Sequence, residues 1–95
     1  MHESKVEELR KYFQTGCLGL TVQTDWDVDL RAWSFRFDEG AGIAHLLKIS
    51  WEVLGDYTVR DIITKLEGGR WKAMLQEAGN NPIIFTRTRF KPLTT

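Results

Sequence analysis

The side chains with the clearest capacity for covalent chemistry in this chain are Cys17 and His45, a thiol and an imidazole. A catalytic thiol needs a nearby base and surroundings that lower its pKa. Cys17 directly follows a predicted helix, and the negative end of a helix dipole raises a thiol pKa instead. His45 alternates with Leu47 and Ile49 in a predicted strand, which favours a structural histidine. An enzyme is therefore not expected. A small-ligand pocket lined by Cys17 and His45, between sheet and helices, stays an alternative.

The sequence contains no convincing motif for a metal or a cofactor. One cysteine and two histidines give no zinc-ligand spacing. The acidic segment Asp25–Asp29 has the spacing of a calcium loop at its start, but Leu30 and Arg36 stand where an EF-hand needs glycine and glutamate. The segment Glu39–Gly42 lacks the Gly-Lys-Ser/Thr ending of a phosphate loop. We therefore predict no metal and no cofactor, and we interpret both segments as turns.

Three cations near the C-terminus have the spacing of a nucleic-acid-binding stripe. Arg87, Arg89 and Lys91 alternate within a predicted strand, Ile83–Lys91, so they would share one face at intervals of ~7 Å. With Phe85 on the same side they could form a basic surface for single-stranded nucleic acid. The favoured interpretation is an edge strand that its charges protect against aggregation. Single-stranded nucleic-acid binding is kept as the alternative.

Alternating residues predict three strands that precede this one, over Cys17–Thr24, Leu30–Asp38 and Ile43–Ile49. Short connections between them imply an antiparallel meander. The segment Ser50–Gly55 either extends the third strand or forms one helical turn capped by Ser50. One sheet face, the apolar face, would hold Leu18, Leu20, Val22, Trp33, Phe35, Phe37, Leu47, Ile49 and Trp51.

The first helix is predicted over Lys5–Gln14. Ser4 and Glu7 have the spacing of a capping box at its start, and Gly16 is suited to a left-handed stop at its end. One stripe of this helix is apolar, with the spacing that a buried face requires. Its residues are Val6, Leu9 and Phe13.

Two further helices complete the predicted elements, one capped by Thr58 and ended by Gly68, and one over Arg70–Ala78 closed by Gly79. The resulting order is α-β-β-β-α-α-β. Three amphipathic helices suffice to cover one face of a sheet. The sequence therefore predicts a two-layer α+β domain over residues 1–95, with a four-stranded, mainly antiparallel sheet.

Composition excludes several classes of protein. A net charge of zero argues against a dedicated non-specific binder of DNA or anionic membranes. One cysteine permits no intramolecular disulfide, and no apolar run approaches the ~20 residues that span a bilayer. The N-terminus lacks the features of a signal peptide. We expect a cytoplasmic protein that does not associate with membranes.

The sheet face opposite the apolar face, here called the light face, is unusually rich in small residues. A freely solvated face is normally more charged, so this face is suited to close approach by another surface. The first helix covers it, or a helix of a partner protein does, or a second copy of the chain does in a two-fold homodimer. Its predicted interface residues are Gly19, Thr21, Ala32, Ser34 and Leu46, with Trp26 at the rim. The leading prediction is a non-catalytic, self-associating protein-interaction module.

Overall fold

The computed structural model describes residues 2–17, 19–40 and 42–92 of the chain. The helices in these ranges are α1 (Glu3–Gly16), α2 (Trp51–Asp56), α3 (Val59–Gly68) and α4 (Trp71–Ala78). The strands are β1 (Thr21–Asp27), β2 (Ala32–Gly40), β3 (Ile43–Ser50), β4 (Ile83–Phe85) and β5 (Phe90–Pro92). The chain is therefore an α+β protein with one sheet and several helices.

The five strands form one sheet in the order β1-β2-β3-β4-β5. The first three are an antiparallel meander, as predicted, but β4 pairs with β3 in parallel and β5 returns antiparallel to β4. The prediction of a four-stranded, mainly antiparallel sheet is wrong, because the sheet is mixed and has a fifth strand. Three helices separate β3 from β4, and a connection of that length permits a parallel return beside the preceding strand.

The predicted fourth strand, Ile83–Lys91, is divided into a hairpin. The Thr86 hydroxyl accepts the backbone N–H of Thr88 at 3.3 Å and that of Arg89 at 3.1 Å. The Thr86 N–H also donates to the Arg89 carbonyl at 2.7 Å. Such local bonds offer the backbone an alternative to continued sheet pairing. The chain therefore turns between residues 86 and 89.

Two helix starts are fixed by side-chain caps. The Ser50 hydroxyl accepts the Val53 N–H at 3.2 Å, so the segment after β3 becomes α2 and does not extend the strand. The Thr58 hydroxyl accepts the Asp61 N–H at 3.1 Å and begins α3, which confirms that cap. Each cap satisfies a backbone donor that the first turn of a helix otherwise leaves without a partner.

The predicted limits of α1 are wrong at both ends. Ser4 lies inside the helix, and the Glu7 carboxylate accepts a bond from Arg10 Nη2 at 2.6 Å, so no capping box forms. Gly16 is the last helical residue and does not adopt a left-handed conformation. A Cβ at Gly16 would lie 3.4 Å from the Trp71 ring, so this glycine permits close approach of α4.

The first strand lies further along the chain than predicted. β1 begins four residues after the start of the expected range, Cys17–Thr24. The Gln14 side-chain oxygen accepts the Val22 N–H at 3.0 Å, so the end of α1 is tied to the start of β1. Trp26, which was predicted in a connection, pairs within the sheet. The predicted position of Leu18 on the apolar face lies outside the described residues.

The core lies between the apolar face and the helices. The Phe13 ring centroid from α1 is 5.1 Å from that of Phe35 and 5.2 Å from that of Phe37, and 4.9 Å from that of Trp71 in α4. The alternative in which α1 covers the light face is therefore wrong. Buried residues from all four helices join this same core, including the predicted stripe of α1; the helical members are Val6, Leu9, Phe13, Val53, Leu54, Ile62, Leu66, Trp71 and Leu75. Within the described ranges, no helix packs on the light face.

Candidate functional site

The light face carries a row of side chains that crosses every strand of the sheet. The strand register places Asp25, Ser34, Lys48, Ile84 and Lys91 side by side, in that order from β1 to β5. Asp25 and Lys91 are exposed and stand on the two edge strands. The row therefore begins with an acidic edge and ends with a basic edge.

The middle of the light face is apolar in part. Ala44, Leu46 and Ile84 are half-buried there, although no described helix packs against them. Arg36 pairs with Leu46 in the register and is exposed. The light face is thus a mixed surface, with a small apolar centre and charged borders.

A polar bridge links β1, β2 and β3 on this face. Lys48 Nζ donates to an Asp27 carboxylate oxygen at 2.6 Å and to the Ser34 hydroxyl at 3.1 Å. The bond from Lys48, followed by one from the Leu30 N–H, lowers the pKa of the Asp27 carboxyl below its usual value. The lysine stem covers its neighbours, which explains how Ser34 is buried on a face with no helix above it.

The structure brings together most, but not all, of the predicted interface residues. Strand alternation and register place Thr21, Ala32, Ser34 and Leu46 on the light face, although Ala32 and Ser34 are buried and present little surface. The other two predicted residues, Gly19 and Trp26, do not lie on this face. Gly19 precedes β1 in a left-handed conformation, with φ of 91°. Trp26 shares the parity of the buried strand residues, so it points to the apolar side.

The three predicted nucleic-acid-binding cations do not share one strand face. Arg87 and Arg89 lie in the turn between β4 and β5, and Lys91 is on β5. Arg87 is also engaged by two carboxylates of α2, with Glu52 at 3.4 Å and Asp56 in a shorter ion pair. The expected continuous stripe is therefore wrong in its geometry. Binding of single-stranded nucleic acid by these residues stays a prediction.

Cys17 and His45 do line one cavity, of about 230 Å³, together with Glu39 and Lys72. His45 Nδ1 lies 2.9 Å from the Gly79 carbonyl oxygen, and Nε2 lies 3.0 Å from a Glu39 carboxylate oxygen. Both ring nitrogens thus have partners other than Cys17, a carbonyl on one side and a carboxylate on the other. Burial raises the pKa of the Cys17 thiol, with a smaller opposing effect from Lys72, so the pair is not arranged as a nucleophile and its base.

Three tryptophans meet at one end of the domain, and the sequence patterns did not group them. Trp26 and Trp33 pair across the β1–β2 hairpin with ring centroids 5.7 Å apart, and Trp51 begins α2. With Glu3 of α1 they line an open cavity of about 120 Å³, here called the tryptophan cavity. Trp33 and Trp51 were predicted as core residues by strand alternation. The symmetric positions of Trp26 and Trp33 around a hairpin were the available signal for their contact.

A larger open cleft, of about 630 Å³, adjoins this end and shares Trp51 with the tryptophan cavity. Leu30 and Arg87 also line it, and the turn before β2 exposes Val28 to 74% and Leu30 to 46%. Because Arg87 is paired with α2 carboxylates, the cleft offers no cluster of unopposed cations at that wall. Its lining combines the apolar side chains of Leu30 and Trp51 with Arg31 and with the ion pairs of Arg87.

Within residues 2–17, 19–40 and 42–92, no group of three or more His, Cys, Asp or Glu side chains is arranged to hold a metal ion. No helix in the part of the chain that the structure describes is both long and apolar enough to cross a membrane. A scan against protein-family models found no match, and searches of curated proteins and of solved structures found no significant match. Function must therefore be inferred from the geometry of this chain.

Proposed function

We propose that this chain is a cytoplasmic, non-catalytic interaction module that forms a homodimer through its light face. The observation that carries the proposal is the separation of charge on a sheet face that no described helix covers. Asp25 marks the acidic edge on β1, and Lys91 marks the basic edge on β5. A face of this kind is complementary to a second copy of itself.

The charge pattern favours one orientation of the two copies. A two-fold axis parallel to the strands, lying between two light faces, would place β1 of one copy over β5 of its partner. Asp25 of each copy would then approach the basic edge of the other, and the apolar centres around Leu46 would meet. A two-fold axis perpendicular to the strands, in the same plane between the two faces, would instead place β1 over β1 and β5 over β5. Like charges would then oppose each other, which costs energy.

The size of the face predicts a weak dimer. Five strands at ~4.8 Å spacing span ~19 Å, and strands of ~20 Å give a flat area of roughly 400 Å² on each copy. The total of roughly 800 Å² is below the ~1,200 Å² of a standard stable interface. We therefore expect dissociation constants on the order of 100 μM, in the range of transient complexes.

Sedimentation velocity over a concentration series that reaches about 1 mM tests the proposal, since the dimer should dominate above its dissociation constant. Leu46→Glu places a charge at the centre of the light face and should leave only monomer. Leu30→Glu is the matched control, because Leu30 is 46% exposed in the connection between β1 and β2, outside the paired strands of this face, and should not alter association. A wild-type chain that stays monomeric throughout, or equal effects of the two variants, would overturn the proposal.

Charge reversal tests the orientation. Asp25→Lys and Lys91→Glu should each weaken the dimer by about 3- to 10-fold, a typical range for partly exposed charge pairs. The double variant should recover most of the wild-type affinity, because it exchanges the two edges of both copies. Additive weakening in the double variant would exclude the strand-parallel axis.

A small-ligand function is the second candidate, and the cavity shared by Cys17 and His45 favours it. Its polar wall carries Lys72 and Glu39, so a compact polar metabolite is the class that fits. A thermal-shift screen tests this function. Stabilisation that is lost in Lys72→Met and kept in the exposed control Lys11→Met would support it, whereas equal responses of the two variants would count against it.

A further inference from the structure

We propose that the tryptophan cavity binds a methylated ammonium group, held by Trp26, Trp33 and Trp51 with Glu3 at its wall. This site does not depend on the homodimer, because the tryptophans lie on the apolar side of the sheet and the proposed dimer uses the light face. Recognition of methylated cations by grouped aromatic rings is an established physical mechanism of cation–π attraction.

Contacts within the chain place the three tryptophans around this cavity without help from a ligand. Trp26 and Trp33 are register partners at the ends of β1 and β2, and their rings meet at 62° in an edge-to-face arrangement. The backbone of Trp51 is positioned by its N–H, which donates to the Arg31 carbonyl at 2.8 Å, and by the Ser50 cap of α2, and the Trp51 ring centroid lies 6.3 Å from that of His2. A preformed site of this kind loses little conformational entropy on binding.

These indoles are not simply core residues. Trp51 is 42% exposed, and Trp26 is partly exposed on an edge strand. Large aromatic side chains at the surface mark binding sites more often than isolated small hydrophobic residues do. Three of the four tryptophans of the chain line one cavity of about 120 Å³, which is a concentration of the ring type that attracts cations best.

Size and charge select the ligand class. The cavity volume of about 120 Å³ equals that of roughly four water molecules at ~30 Å³ each, which suits a compact head group rather than a long side chain. Each indole face carries negative electrostatic potential, so the rings supply the attraction for a cation. The Glu3 carboxylate at the wall is already engaged in an interaction within the chain.

A methylated ammonium fits better than an ordinary ammonium. Its methyl groups carry the positive charge against the rings and are weakly hydrated, so little hydration is lost on entry. An unmodified lysine would lose strong hydrogen bonds to water, and the three indole rings offer no acceptors to replace them. The same head group occurs on small solutes such as choline and on methylated lysine side chains of proteins.

The test is a titration of the full chain with choline, followed by tryptophan fluorescence and by calorimetry. We expect a dissociation constant on the order of 1 mM, as for a small ligand held by a few contacts. The neutral isostere 3,3-dimethyl-1-butanol should bind at least about 10-fold more weakly, because it has the same shape without the charge. Equal binding of the two compounds, or no binding of choline at about 50 mM, would overturn the proposal.

Variants assign the binding to this cavity. Trp51→Ala should weaken choline binding by at least about 10-fold, while Trp51→Phe retains a ring and should lose about 3-fold. Leu30→Ala is the control at the same end of the domain and should bind as the wild type does. Because Trp51 is exposed, its replacement should leave the unfolding transition intact, and unchanged choline affinity in Trp51→Ala would refute the assignment.

A second experiment distinguishes a methylated lysine of a protein from a small solute as the ligand. A short peptide with trimethyllysine is compared with its unmodified form and with free choline. Binding of the trimethylated peptide at least about 10-fold tighter than choline would assign the cavity to protein recognition, whereas equal affinities would assign it to a small solute. Equal binding of the trimethylated and unmodified peptides would reject methylated-ammonium recognition.

Discussion

Replacing Phe13 by alanine tests which face of the sheet is the core, and with it the availability of the light face. Phe13 is fully buried, and its ring lies 5.1, 5.2 and 4.9 Å from the rings of Phe35, Phe37 and Trp71. A buried Phe→Ala replacement costs about 3–5 kcal/mol. Each of the three ring pairs adds ~0.5–1.5 kcal/mol beyond area burial, so we expect a loss at the upper end of that range. The free energy of unfolding of a domain is only ~5–15 kcal/mol, so the variant should be close to unfolded.

Urea unfolding, followed by tryptophan fluorescence, measures this loss. With a slope of ~1–2 kcal/mol per molar urea, the midpoint should fall by roughly 2–4 M. Phe13→Leu keeps most of the volume and should lose roughly half as much or less. Leu46→Glu on the light face, where Leu46 is half-buried, should lower monomer stability by about 1 kcal/mol, well below the loss for Phe13→Ala. A loss under ~1 kcal/mol for Phe13→Ala, together with unfolding by Leu46→Glu, would mean that the helices pack on the other face.

Three further predictions concern single interactions. The pKa of Asp27 is lowered, so its bond with Lys48 stabilises the fold at pH values above the unfolded pKa of ~3.9, and this stabilisation is lost as the pH falls through the folded pKa. In chemical denaturation, Asp27→Asn should be less stable than the wild type at about pH 7, and the difference should vanish at about pH 2. Thr58→Ala removes the cap of α3 and should lower the free energy of unfolding by about 1 kcal/mol, whereas Thr64→Ala on the same helix should change it by less than ~0.5 kcal/mol in the same urea assay. Since burial raises the pKa of the Cys17 thiol, its reaction with a disulfide reagent at about pH 8 should be slower than that of an unfolded control, and a faster reaction would contradict the raised pKa.

Local patterns in the sequence predicted several elements of this fold correctly. The predicted apolar stripe of α1 is buried, and Thr58 caps α3. These features depend on residues three or four positions apart, so a short window of sequence contains them. The prediction of a single fourth strand was wrong for a related reason. Its alternating pattern was real, but the hydroxyl of Thr86 forms backbone bonds that favour a turn.

The candidate sites could be predicted only in part. Alternation placed Thr21, Ser34 and Leu46 on one face, because side chains in a strand repeat every two residues. The charge separation between Asp25 and Lys91 was not predicted, because it depends on the order of strands across the sheet. That order brings a residue near the N-terminus and one near the C-terminus to opposite edges of one face.

The sequence by itself determined which residues of each element are apolar, where α3 begins, and that one sheet face is heavily aromatic while the other is light. These properties follow from backbone periodicity and from hydrogen bonds between near neighbours. Only the tertiary structure decided that α1 joins the aromatic core, that β4 returns parallel to β3, and that Trp26, Trp33 and Trp51 meet at one cavity. Such choices depend on burying apolar surface from distant segments at once, and no local stretch of sequence contains that information.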